Sequence, residues 1–237
     1  MSKDPLNFLS SYTSKLLRKN FGRGPQSCQT TLKNSHLVIY IKGFLSPMEE
    51  VLMQQGQRDQ VDKARTIIIE HLIKELVGVI RLTIERDVEE SYHDWNFPNN
   101  SGILMFKLKE SEDVQEEEDI QDSIDDRVEL EELAQEVARI SKLVQKVPEQ
   151  IIVYPLSKTI YLLERKGLLV PIEKALIAKG YKEELKITKD ELEKKYFHRH
   201  GKFNEIFLRP IKDIFIDWNL KEDKSLMGFI LFENEEY

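Results

Sequence analysis

The chain has 237 residues, 41% of them apolar and 32% charged, a balance that describes soluble globular domains with heavily solvated surfaces. Its richest apolar stretch, residues 151–163, is interrupted by Pro155 and Lys158 and falls short of the roughly 20 residues a bilayer-spanning helix needs, so no membrane insertion is expected. The net charge of −7 is concentrated in residues 110–126, which carry ten acids and no Lys or Arg; the rest of the chain, at +3 with no evident Lys/Arg stripe, gives no reason to expect nucleic-acid binding.

The first element is an amphipathic helix over residues 6–21, with Leu9, Tyr12 and Leu16 on one face. Gly22-Arg23-Gly24-Pro25 stops it, because glycine accepts the left-handed turn after a helix and proline cannot continue one. Strands at 28–32 and 36–42 then form a hairpin around Lys33-Asn34-Ser35. The single cysteine, Cys28, falls in the first of these strands and reads as a small buried hydrophobe.

After Lys42-Gly43, the run Ser46-Pro47-Met48-Glu49 is a capping box with proline at the first helical position. It opens a short helix ending near Gly56, followed by a longer one over 58–76 with Val61, Ala64, Ile68, His71 or Leu72, and Leu76 inward. Two further strands are expected at 79–92 and 103–108, joined through residues 97–102.

The chain then repeats itself. Lys42, Gly43, Leu45, Pro47, Glu49, Leu52 and Gly56 reappear, each 124 residues later, as Lys166, Gly167, Leu169, Pro171, Glu173, Leu176 and Gly180. Asp94-Trp95-Asn96 returns 123 residues later as Asp217-Trp218-Asn219. The second copy's elements are a helix with Leu130, Leu133, Val137, Ile140 and Val144 on one face, strands at 151–154 and 159–163, a helix using Leu185, Leu192 and Tyr196, and strands at 206–216 and 229–232. Phe106 aligns with Phe232 in this reading.

The expected fold class is therefore α+β: two tandem α-β-β-α-β-β repeats, each a four-stranded antiparallel sheet with helices on one face. The expected domains are residues 1–109, an acidic linker at 110–126, and residues 127–237. The two copies are expected to form an intramolecular pseudo-dimer, with further oligomerisation open.

Three groups of residues invite a chemical reading. Gly22, Arg23 and Gly24, with Lys42 close to a helix N-terminus, could cradle a small anion, although the order helix-turn-strand reverses that of a phosphate loop and the second copy has Gln145-Lys146-Val147-Pro148 instead. His93-Asp94 lies at a strand end, where acid/base work is conceivable, but successive strand residues point to opposite faces and the second copy has Ile216-Asp217. His198-Arg199-His200 lacks a Cys or carboxylate at ligand spacing, so no metal is expected. Gly43, Pro47, Glu49 and Trp95, with Gly167, Pro171, Glu173 and Trp218, read as structural repeat pairs. No catalytic set and no cofactor motif is visible, and the expectation is a non-enzyme.

The order of helix, Gly-Arg-Gly-Pro, strand, Lys-Gly-x-Leu-x-Pro-x-Glu, long helix and His-Asp before a final hairpin resembles the MpsC-like family of small bacterial proteins, named for a sodium-translocating membrane-potential-generating system. The match spans residues 6–108, and the second copy is a diverged version that keeps Gly167, Leu169, Pro171, Glu173 and Asp217. The resemblance implies a soluble accessory or regulatory protein that binds a protein partner, such as a membrane ion or inorganic-carbon transport complex; residues 1–15 lack the continuous apolar segment of a secretory signal, so a cytoplasmic location is expected. The alternative is a small-anion sensor or enzyme built on the glycine turn of the first copy.

Overall fold

The computed structural model describes residues 4–110 and 127–233, and the chain divides into two compact units, 1–115 and 116–237. All but the first residue of the acidic segment 110–126 lies outside the described residues.

The first unit runs α1 (Pro5–Phe21), β1 (Ser27–Lys33), β2 (His36–Lys42), α2 (Pro47–Gln54), α3 (Arg58–Ile84), β3 (Val88–Asn96) and β4 (Ser101–Leu108). The second runs α4 (Leu130–Val144), β5 (Gln150–Pro155), β6 (Ile160–Lys166), α5 (Pro171–Ala178), α6 (Lys182–His200), α7 (Phe203–Ile206), β7 (Ile211–Asn219) and β8 (Lys224–Leu231). Each unit holds one four-stranded antiparallel sheet, in the orders β1-β2-β4-β3 and β5-β6-β8-β7. This is the α+β repeat expected from the duplication.

Strand alternation puts Leu37, Ile39 and Ile41 of β2 into the helix-covered core together with Leu104 and Phe106 of β4. The helices supply Leu9, Leu16 and Leu17 from α1, and Val61, Ile69, Leu72, Leu76 and Ile80 from α3. Burial of each such side chain contributes about 1.5–3 kcal/mol. The second core repeats the arrangement with Tyr161, Leu163, Leu133, Val137, Ile140 and Phe197.

Five expectations from the sequence are corrected. Residues 79–84 belong to α3, not to a strand: Leu76 and Ile80 are one turn apart on the buried face, and that packing overrides the strand preference of a Val/Ile-rich segment. The buried face of α3 passes through Arg65 and Ile69, leaving Ala64 exposed, and of His71 and Leu72 it is Leu72 that faces inward. In the second unit Leu192 is 40% exposed while Lys189, Glu193 and Phe197 face inward, and residues 206–210 precede β7. Finally, Leu37 pairs with Phe106 and Tyr161 pairs with Phe229, so the repeat equivalent of Phe106 is Phe229, and Phe232 lies beyond β8.

Candidate functional site

The residues kept between copies converge where β2 or β6 hands the chain to the short helix. Gly43 and Gly167 have φ of 66° and 67°, a left-handed turn that disfavours side chains. Their N–H groups donate to the carbonyls of Asn100 and Asp223, themselves left-handed at φ 48° and 53°. The side chains of the same two residues accept from Leu45 N (2.9 Å) and Leu169 N (2.8 Å). One polar residue in the β3-β4 or β7-β8 turn thus fixes the loop that starts the helix.

The helix starts are also built alike. Pro47 and Pro171 occupy the first turn, where no intrahelical partner for an N–H is lost. Glu49 Oε2 accepts from Ser46 N at 2.8 Å, and Glu173 Oε2 from Val170 N at 2.8 Å. Ser46 Oγ returns the favour to Glu49 N, whereas Val170 has no oxygen, so the second copy keeps half the capping box.

These glutamates have a second task. The Arg65 guanidinium reaches both Glu49 oxygens at 2.7 Å, and Lys189, 124 residues later, reaches Glu173 Oε1 at 2.7 Å. Each cation lies over a tryptophan: Arg65 is 4.8 Å from the Trp95 ring and Lys189 is 4.0 Å from the Trp218 ring. Glutamate, cation and indole form the shared centre of both units, and the cation was missed because a charged residue on a helix reads as surface. Its retention at the common 124-residue spacing was the available signal.

The copies differ around that centre. Arg65 is enclosed by the rings of Phe21 and Phe44, both 4.2 Å away, and burial pulls its guanidinium below the ordinary range while Glu49 holds it up. In the second unit the positions of Ile41 and Ile69 hold Arg165 and Glu193. Arg165 donates to Glu193 (2.7 Å), Ser141 (3.2 Å) and Ser225 (2.8 Å), and all of this is buried. Burial pushes the Glu193 carboxyl up, opposed by Arg165 and Lys189.

Of the other sequence candidates, Gly22 and Arg23 are exposed, whereas Asp94 and Asp217 are buried. Gly22 is the left-handed end of α1 (φ 75°), and Gln26 N donates to Lys42 O at 2.8 Å, so the glycine turn abuts Lys42. The Arg23 fork, however, meets Glu50 of α2 at 3.4 Å, and a side chain at Gly24 would crowd Arg18. Lys42 lies 5.9 Å from the Tyr40 ring. Asp94 and Asp217 accept from the following tryptophan amide at 2.6 and 2.7 Å, and Asp217 also meets Lys186 at 2.7 Å. His93 pairs across the sheet with Leu104 and Asp94 with Ile103. Burial pushes the Cys28 thiol up to about 12, which keeps it protonated and a poor nucleophile. Desolvation lowers His198, with Asp213 pulling the other way. Among the described residues no three His, Cys, Asp or Glu are placed to hold a metal ion.

Among the described residues no helix is long and apolar enough to cross a membrane. No curated protein and no solved structure matches the chain. A family model described as "Na+-translocating membrane potential-generating system (MpsC)" matches residues 7–110 and again residues 127–233, once per structural unit, and the chain therefore belongs to the MpsC family.

Proposed function

We propose that this protein is a non-catalytic, cytoplasmic accessory or regulatory subunit that binds a protein partner in a membrane ion or inorganic-carbon transport system. Membership of the MpsC family carries the reading, since the family description names a sodium-translocating, membrane-potential-generating system. The chemistry of the repeated residues supports it: Glu49, Arg65, Trp95 and Asn100, and their counterparts Glu173, Lys189, Trp218 and Asp223, engage one another or nearby backbone and serve the fold.

Affinity capture from detergent-solubilised membranes, with the full chain as bait, tests the proposal. Recovery of an integral membrane subunit of an ion or bicarbonate transporter is expected. Recovery of soluble metabolic enzymes alone would overturn it.

A further inference from the structure

The two units differ most in charge along the second half of their long helices and the turn that follows. Residues 194–212 contain six Lys or Arg and one acid, Glu205, a formal +5 in a chain whose net charge is −7. The corresponding residues 70–89 of the first unit contain three Lys or Arg and five acids, a formal −2. Averaging over the whole chain conceals this concentration.

Lys195 and Arg199, one helical turn apart, lie on the outer face of α6, opposite Lys189, Glu193 and Phe197, and Lys202 follows directly after its end. All three are exposed. Lys195 and Arg199 have no ion-pair partner among the described residues, whereas Lys194 is held by Asp190 at 2.8 Å.

Two exposed leucines accompany these cations along the chain. Leu192 is 40% exposed on the same helix face, and Leu208 is 58% exposed at the turn after α7. Leu208 has φ 52°, a left-handed state unfavourable for a bulky side chain; the first unit has Glu85 at the equivalent place, with φ 60°. Neither core packing nor backbone preference accounts for leucine at this position. The nearby aromatic rings Phe197, Phe203 and Phe207 are buried, so this face has no open stacking platform of the kind nucleic-acid bases use.

We infer that the C-terminal part of the outer face of α6, beyond the exposed Glu191, and the Leu208 turn form a peripheral docking surface for an anionic lipid bilayer, with Lys195, Arg199 and Lys202 attracting headgroups and Leu208 entering the interfacial region. No helix is inserted; adsorption rests on charge plus a small apolar contact. The surface deepens the accessory reading by supplying a route to the membrane, and because its test uses pure lipid, failure here is distinguishable from failure to capture a transporter.

The full chain is sedimented with vesicles of phosphatidylcholine and phosphatidylserine, with pure phosphatidylcholine vesicles as the comparison. Binding to the anionic vesicles alone is expected, weakening as salt rises. Each cation near such a surface is worth about fivefold in partitioning, so the triple variant Lys195→Gln, Arg199→Gln, Lys202→Gln loses about 100-fold. Lys74→Gln with Arg81→Gln in the first unit leaves binding unchanged. Leu208→Asn, which places a residue tolerant of left-handed backbone there, lowers vesicle binding severalfold without disturbing the fold. Retained tryptophan fluorescence transitions verify that each variant is folded. The inference is overturned if the native chain ignores anionic vesicles at low salt, if it binds both vesicle types equally, or if the folded triple variant binds like the native chain. Displacement from vesicles by single-stranded RNA at matched charge, with the same dependence on the three cations, would also overturn it in favour of a nucleic-acid surface.

Discussion

The two units hold a cation at the same buried place by different means. In the first, Arg65 has one carboxylate and three aromatic neighbours, and the adjoining core positions are Ile41 and Ile69. In the second, Lys189 has Glu173 and Trp218, and the core beside it takes up the pair of Arg165 with Glu193, whose other oxygen lies 3.7 Å from Lys189. The substitutions are coupled. An arginine at the Ile41 position without an acid at the Ile69 position would leave a bare charge in a dry core. Comparison of the copies thus separates what the fold requires, one glutamate-cation-indole centre, from what one copy has added.

Breaking the added pair gives the largest expected effect. Arg165→Ile takes from the buried Glu193 its nearest cation, and Glu193→Ile leaves the buried Arg165 without its acid, each at a cost of about 3–5 kcal/mol. The double variant installs the first copy's residues and should lose less than either single one. Urea unfolding followed by Trp218 fluorescence, in a Trp95→Phe background, measures all three. If the losses of the two single variants simply add in the double variant, the positions are uncoupled and the comparison fails.

The indoles allow a second, smaller contrast. Gly102 lies opposite Trp95 in the sheet, and any side chain there would run into the indole; the equivalent residue beside Trp218 is Ser225, which accepts from Arg165. Gly102→Ala therefore overpacks the first core and should cost about 1–3 kcal/mol. Ser225→Ala only removes a hydrogen bond to a charged donor and should cost about 1.5 kcal/mol. Thermal unfolding of both variants checks the order, and a harmless Gly102→Ala would show that Trp95 does not need its glycine.

The helix caps sharpen the comparison further. Ser46→Ala should cost about 1 kcal/mol, because Glu49 N loses its side-chain acceptor. Val170→Ser should do the reverse by completing the half-built cap over α5, with a gain of up to about 1 kcal/mol. Opposite shifts in the urea midpoints are expected; a loss from Val170→Ser would mean that its apolar contacts outweigh the cap.

Much of this architecture was legible because duplication is a strong signal: residues kept at one spacing through two diverged copies marked the short helices, the glycine turns and the tryptophans before any element was placed. What escaped was of two kinds. Residues 77–84 contain Val77, Val79, Ile80 and Ile84, which favour strands locally, and only the tertiary burial of Leu76 and Ile80 carries α3 onward. The inward charges Arg65, Lys189, Arg165 and Glu193 do not stand out in the sequence, since local pattern does not reveal a partner 16 to 28 residues away. A retained cation at the common spacing, and a charge pair replacing two isoleucines, are signals visible only when the copies are compared position by position.

The long helices make the same point with a weaker interaction. The segment that continues as helix in the first unit is broken in the second at Gly201, where a side chain would meet Phe203 and the carbonyl of Phe197. The break is held from α4: Arg139 donates to His200 O at 2.7 Å, and Glu136 accepts from Lys202 N at 2.7 Å and from Arg139. The first unit has Tyr12 in place of Glu136, bonded to Glu75. Hydrogen bonding from Arg139 holds the Glu136 carboxyl below the usual range despite partial burial. A carboxyl depressed in the folded state contributes stability that is present above its unfolded value and lost as pH falls through the folded one. Glu193, raised by burial, has the opposite sign: its contribution is present below the unfolded value and lost as pH rises through the raised one. The two trends oppose each other in the native chain, so the test is a difference: the stability gap between native and Glu136→Gln, read from Trp218 fluorescence, should be positive near neutrality and shrink in acid. A gap independent of pH would show that the clamp at the helix break does not depend on the charge of Glu136.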